Sequence, residues 1–184
     1  SFIWNHKEIV TSLTGEYNIE NISAAIAIGI ECNIQGENIA QAISNYEPLV
    51  NRSEIYAGKN NTTIIKDFYN ANLTSMKLAL ENLKKIGEEK NMKTVAIMGD
   101  MLELGEYSQG EHQAAVDYAK EIGINDIILV GSEFQKIGCD NITSYPDVDS
   151  LISKITEKPY TDSIVLLKAS NGTNFQKLFD KVSW

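Results

Sequence analysis

A carboxylate, a phenol and two amides crowd into Asp67-Phe68-Tyr69-Asn70-Ala71-Asn72, between the β-prone run Thr62-Thr63-Ile64-Ile65 and an amphipathic helical pattern from Leu73. Where a strand ends directly before a helix N-terminus, free backbone N–H groups and a partial positive charge lie beside such side chains. That combination suits a phosphorylated or otherwise anionic ligand. The same residues also make a well-capped turn with Asn72 as the cap. Three further polar clusters, Gly99-Asp100-Met101-Leu102-Glu103-Leu104-Gly105, Gly131-Ser132 and Lys168-Ala169-Ser170-Asn171-Gly172, each follow an apolar run of strand length. Taken singly, Gly99-Asp100 is a tight turn, and Lys168-Ala169-Ser170 is a solvated lysine followed by a helix cap. In a parallel sheet all four clusters emerge on one edge, the edge where open α/β sheets bind ligands.

The elements that must position them alternate. The runs Thr94-Val95-Ala96-Ile97-Met98, Asp126-Ile127-Ile128-Leu129-Val130 and Ser163-Ile164-Val165-Leu166-Leu167 are continuous and apolar, as strands covered on both faces are. Between them, helical spacing appears at Met76, Ala79, Leu80, Leu83 and Ile86, with a stop at Gly87, and at Ala114, Ala115, Tyr118, Ala119 and Ile122, with a stop at Gly123. Ser108-Gln109-Gly110-Glu111 has the pattern of a capping box for the second of these helices. A stretch around Phe134 and Ile137 reads as helix, residues 141–145 as an edge strand, and Pro146-Asp147 as the start of a helix along Val148, Leu151, Ile152 and Ile155. A final helix carries Phe175, Leu178, Phe179 and Val182. Residues 54–57 and 62–66 form a hairpin around Gly58-Lys59-Asn60-Asn61. This alternation predicts a Rossmann-like α/β fold, a mostly parallel sheet with helices on both faces.

The beginning of the chain differs. Residues 2–13 read as an extended segment, with Ile9, Thr11 and Leu13 alternating. A helix opened by Asn18 follows, its face of Ile22, Ala25, Ile26, Gly29 and Ile30 predicting close, mostly buried packing. A shorter helix carries Ile39, Ala42, Ile43 and Tyr46 and ends before Pro48. Pro48-Leu49-Val50-Asn51-Arg52-Ser53 is the expected boundary, dividing a helical segment 1–50 from a strand–helix domain 51–184.

With 184 residues and 43% hydrophobic content there is ample material for a packed core, and no apolar run approaches a membrane span. The net charge of −9 argues against nonspecific binding to nucleic acid or anionic membranes. The two cysteines, Cys32 and Cys139, have no paired spacing and are expected to be buried, reduced thiols. The two histidines, His6 and His112, are too far apart in sequence to suggest a metal centre, so no metal site is expected in this chain. Neither Gly-x-Gly-x-x-Gly after the first strand nor Gly-x-x-x-x-Gly-Lys-Ser/Thr occurs, and neither does a Gly-x-Ser-x-Gly elbow. If the chain serves a nucleotide, the phosphate grip must come from elsewhere.

In combination, Asp67-Phe68-Tyr69-Asn70-Ala71-Asn72-x-x-Ser75-Met76, Gly99-Asp100-Met101-x-Glu103-Leu104-Gly105 and Lys168-Ala169-Ser170 resemble the carboxyl-terminal domain of a Mur ligase. Gly15-x-x-Asn18-x-x-Asn21-x-x-Ala24-Ala25 is similar to the last helix of that family's central ATPase domain, and Arg52 falls where the family has Gly-Arg. The chain departs from the pattern in three places: Asn51 for the usual Gly, Leu73 for a common Pro, and Lys168-Ala169-Ser170-Asn171 for Lys-Gly-Ser-Arg.

The resemblance implies an ATP-dependent amide ligase of peptidoglycan synthesis in the bacterial cytoplasm. Its branch joins D-alanyl-D-alanine to UDP-N-acetylmuramoyl-tripeptide through an acyl phosphate. It implies that residues 1–50 are the helical tail of the central domain and that the N-terminal and remaining central domains are partners from the same protein. ATP and Mg would belong to the full-length enzyme, with neither held tightly by this chain alone, which is expected to be inactive by itself. Carried over by position, Asn21, Arg52, Asp67, Tyr69, Asn70 and Asn72 would lie on the nucleotide side, with Arg52 on phosphate and Asp67 on ribose. Asp100, Lys168, Ser170 and Asn171 would face the dipeptide, and no catalytic residue is assigned. The alternative from a different class is a stand-alone nucleotide- or ligand-binding α/β module without catalysis, which a start codon immediately before Ser1 would favour, whereas a P-loop-containing reading frame running into the chain would favour the ligase.

Overall fold

Val95, Ala96, Ile97 and Met98 are all fully buried, as a strand covered on both faces requires. They sit in the larger of two compact units, Ser1–Leu49 and Val50–Trp184, of a computed structural model that describes residues 1–13, 15, 18–47, 51–138 and 141–184.

In the first unit, β1 (Phe2–Trp4) and β2 (Lys7–Ile9) pair antiparallel around Asn5 and His6, whose φ angles are 50° and 62°. Two successive left-handed residues make the hairpin turn whose twist matches its strands. The sequence predicts one extended segment here because Asn-His signals such a turn more weakly than Asn-Gly. Two helices, α1 (Asn18–Glu31) and α2 (Gly36–Ser44), pack Ile22, Ile39 and Ile43 with Ile9 into a small core. A Cβ at Gly29 would stand 2.8 Å from Ile39 Cδ1, so the glycine lets the helices approach. The expectation that α1 is mostly buried is corrected: Ala25 is exposed, and Ile30 is 56% exposed. Periodicity finds an apolar stripe, but within this unit only part of that stripe meets a partner. Tyr46 lies beyond the end of α2 and is exposed, and Cys32, expected to be buried, is exposed as well. Cys139 and positions 48–50 of the expected boundary fall outside the described residues.

The second unit runs β3 (Glu54–Ala57), β4 (Thr62–Asp67), α3 (Leu73–Lys90), β5 (Lys93–Gly99), α4 (Ser108–Glu121), β6 (Asp126–Val130), α5 (Ser132–Ile137), β7 (Thr143–Tyr145), α6 (Val148–Glu157), β8 (Ser163–Lys168) and α7 (Phe175–Lys181). Its sheet has the order β3-β4-β8-β5-β6-β7, with β3 antiparallel to β4 and every other neighbour parallel. Alternation along the strands feeds two cores. Ile65, Ala96, Met98 and Leu166 join residues of α3, α4 and α5, whereas Ile64, Val95, Ile97 and Val165 join residues of α6 and α7. This is the mostly parallel α/β fold with helices on both faces that the sequence predicts.

One connection decides the site. After the edge strand β7, the chain returns through α6 and inserts β8 between β4 and β5. Lys168 therefore stands in register with Asp67 on one side and Met98 on the other.

Two local expectations change. α3 passes through Gly87 and ends at Lys90, with Asn91 in the left-handed conformation as its cap (φ 49°). Gly87 is there for packing, since a Cβ would come within 2.3 Å of Thr94 Cγ2. The capping box expected at Ser108 and Glu111 does not form. A 3-10 turn over Gly105–Tyr107 leads directly into α4, and Ser108 Oγ instead donates to Glu133 Oε2 at 2.7 Å.

Candidate functional site

At the end of β4, Asn72 caps α3: its side chain accepts from Ser75 N at 2.8 Å, and Ser75 Oγ accepts from Asn72 N at 3.1 Å. Leu73 is the first residue of that helix, where Pro would be tolerated but is not needed. Phe68 and Ala71 turn into the core while Tyr69 stays 47% exposed, so the turn presents the phenol outward. Arg52, the sole arginine of the chain, lies over that ring with Cζ 4.1 Å from its centroid. Asn51 and Ser53 on either side of Arg52 are left-handed, at φ 65° and 51°. Asparagine is among the few residues that tolerate this conformation, which accounts for Asn51 standing where the related pattern has Gly. Among the described residues Arg52 has no carboxylate partner, so its outward N–H donors are available to an anion.

Asp67 is tied from two sides. Ser53 N donates to its Oδ1 at 3.3 Å, and Lys168 Nζ donates to its Oδ2 at 3.1 Å. The same ammonium donates to the Asn70 carbonyl at 2.5 Å. Lys168 is only 2% exposed; burial pushes its pKa below the ordinary lysine value, Asp67 opposes that shift, and the positive charge of Arg52 adds to it. The expectation that Lys168 faces a substrate meets a buried side chain committed to Asp67 and Asn70.

The end of β5 is equally specific. The Asp100 carboxylate accepts from Glu133 N and Phe134 N, both at 3.1 Å, in the first turn of α5. It is therefore an anchor for a helix start rather than an open ligand-facing group. His112, fully buried, accepts from Met101 N through Nε2 at 3.0 Å and donates through Nδ1 to Ser108 O at 2.7 Å. This hydrogen-bond pattern is that of the neutral ring with its proton on Nδ1. The sequence gives His112 no role beyond its failure to make a metal cluster; a lone histidine on a helix carries no signal that its partner is a loop amide. Replacing His112 by Phe keeps the ring contact with Phe134 but strands the Met101 N–H. It is expected to destabilise the fold by about 1–3 kcal/mol, measured by urea unfolding of this chain.

Ser170 connects the two loops: its Oγ accepts from Leu102 N at 3.0 Å, and its own N–H donates to Asp100 O at 3.2 Å. Asn171 follows, exposed, in a 3-10 turn over Asn171–Thr173. The edge thus brings Arg52, Asp67, Tyr69, Asn70, Asn72 and Lys168 into one group, with Asp100, Ser170 and Asn171 into a neighbouring one. Asn21 belongs to the other unit, where its Nδ2 donates to Asn18 Oδ1 at 3.1 Å. Among the described residues no group of His, Cys, Asp and Glu is placed to hold a metal ion, and no helix is long and apolar enough to cross a membrane.

The family model for the Mur ligase, glutamate ligase domain, matches residues 51–171. The chain belongs to the Mur ligase family. It is 26% identical over 174 residues to the UDP-N-acetylmuramoyl-tripeptide–D-alanyl-D-alanine ligase of Bacillus subtilis, covering 90% of this chain and 38% of that protein. The ligase of the same name from Rickettsia prowazekii is 34% identical over 126 residues, covering 65% of this chain and 27% of that protein. Among solved structures, a crystal structure of MurF from Acinetobacter baumannii superposes with a TM-score of 0.78 at 26% identity, over 95% of this chain and 39% of that one. The chain thus spans well under half the length of these curated relatives.

Proposed function

We propose that this chain is the C-terminal part of an ATP-dependent ligase that joins D-alanyl-D-alanine to UDP-N-acetylmuramoyl-tripeptide in the bacterial cytoplasm. The observation that carries the reading is the Arg52 guanidinium held over Tyr69 beside Asp67, at the carboxyl edge of the sheet. In such a reaction the tripeptide carboxylate attacks the γ-phosphate of ATP. The dipeptide amine then adds to the acyl phosphate, and phosphate leaves from the tetrahedral intermediate. Little covalent chemistry falls to the protein, which positions groups and neutralises charge. Arg52 offers several N–H donors to phosphate oxygens. Asp67 retains acceptor capacity beyond its two present bonds, enough for a ribose hydroxyl. Ser170 and Asn171 frame the side on which the dipeptide enters.

Neither phosphate cradle is present in this sequence, so the triphosphate and its Mg would be held by other domains of the full-length protein, and the domain described here would act as a lid. It follows that the isolated chain binds ATP weakly, with a Kd above about 1 mM in a calorimetric titration, whereas the full-length enzyme binds it productively. The deciding assay supplies the full-length protein with ATP, UDP-N-acetylmuramoyl-tripeptide and D-alanyl-D-alanine. Phosphate release that needs all three supports the reading. Release that ignores the dipeptide, or no release at all, overturns it.

A further inference from the structure

We propose that Lys168 is a positioning residue: its buried ammonium locks the turn over residues 67–72, and through Asp67 the Arg52 segment, into the arrangement that receives the nucleotide. The inference rests on the preceding reading of that edge as the nucleotide side. β8 is the strand inserted last, between β4 and β5, and Lys168 is its final residue, in register with Asp67. Its Nζ bridges two points of the turn, the Asp67 carboxylate and the Asn70 carbonyl, and with 2% exposure has no path to a ligand. A compact ammonium carries three rotatable donors on one atom, so a single Nζ serves both acceptors. Asp67 passes the constraint on, because its other oxygen takes the N–H of Ser53, the left-handed residue after Arg52. Removing the ammonium frees the carboxylate, the Asn70 carbonyl and hence both members of the Arg52–Tyr69 stack.

Two measurements on Lys168→Met test this, and the first does not depend on ligase activity. In this chain, amide hydrogen exchange at Ser53, Asn72 and Ser75 is expected to accelerate at least about tenfold more than at Ala96 and Ile97 of β5. Uniform acceleration across all five amides would mean a merely structural role and overturn the proposal. Should Lys168→Met fail to fold, Asp67→Asn/Lys168→Met, which leaves no buried carboxylate unpaired, carries the same measurement with the same expected pattern. In the full-length enzyme, Lys168→Met is expected to raise KM for ATP about tenfold or more and to leave KM for D-alanyl-D-alanine within about twofold. A rise confined to the dipeptide KM would make Lys168 a dipeptide contact and overturn the proposal. Wild-type enzyme without ligase activity would instead sink the functional reading and leave the exchange result standing.

Discussion

On the proposed ligase function, replacing Arg52 by alanine in the full-length protein is expected to lower ATP-dependent joining by about 10²–10³-fold, a loss of about 2.7–4 kcal/mol of transition-state stabilisation, the range seen when one preorganised donor is removed from developing charge. The size follows from preorganisation. The guanidinium already lies 4.1 Å over the Tyr69 ring, on a segment whose Ser53 N–H is tied to Asp67, so it is placed at this edge before substrate arrives. Asp67→Ala is expected to cost as much, for a second reason. It removes the acceptor of Ser53 N and leaves the Lys168 ammonium buried without its counter-ion, so the Arg52 segment loses its tether. Steady-state kcat/KM with ATP, UDP-N-acetylmuramoyl-tripeptide and D-alanyl-D-alanine measures both. Rates within about threefold of wild type for both variants would remove this edge from the reaction.

The second large effect is on stability, and it concerns Asp100. Asp100→Ala strands the part-buried N–H of Glu133 and the buried N–H of Phe134 at the start of α5 and is expected to destabilise the fold by about 3 kcal/mol. That corresponds to a fall in Tm of about 6–12 °C for a chain of this size. Gly131→Ala tests the same contact from the other side. Gly131 has φ 123°, which L side chains rarely adopt, and a Cβ there would stand 2.3 Å from Asp100 Cγ. Its expected cost is at least as large, because the carboxylate must leave the helix start to make room. Thermal unfolding of the isolated chain followed by circular dichroism checks both. A Tm within about 2 °C of wild type for Asp100→Ala would return the carboxylate to the list of groups available to a ligand.

The contrast between Asp67 and Asp100 explains how much of the site could be read in advance. Both are carboxylates that follow an apolar strand, and sequence alone treats them alike. What separates them is the neighbour each strand acquires. β4 lies beside β8, which brings Lys168 to Asp67, whereas β5 lies beside β6, whose following helix offers two amides to Asp100. Lys168 is misread for the same reason: a lysine at a strand end is normally solvated, and nothing local shows that its strand is placed last between two others. The Ser108–Glu133 bond and the His112–Met101 bond are likewise invisible locally, because each joins elements whose adjacency is set by packing.

The sequence by itself determined the alternation of buried strands and amphipathic helices, the capped turn at Asn72, and the convergence of the polar clusters on one sheet edge. Those features depend on side-chain periodicity, on local capping and on the rule that parallel strands share a direction. Only the tertiary structure decided the strand order, and with it which polar groups would be spent on one another. Strand order is fixed by the summed fit of both helical layers against the sheet, a long-range property that no short window of residues contains. That order turned Lys168 inward to Asp67, gave Asp100 to α5, and left Arg52 on Tyr69 with its donors facing out.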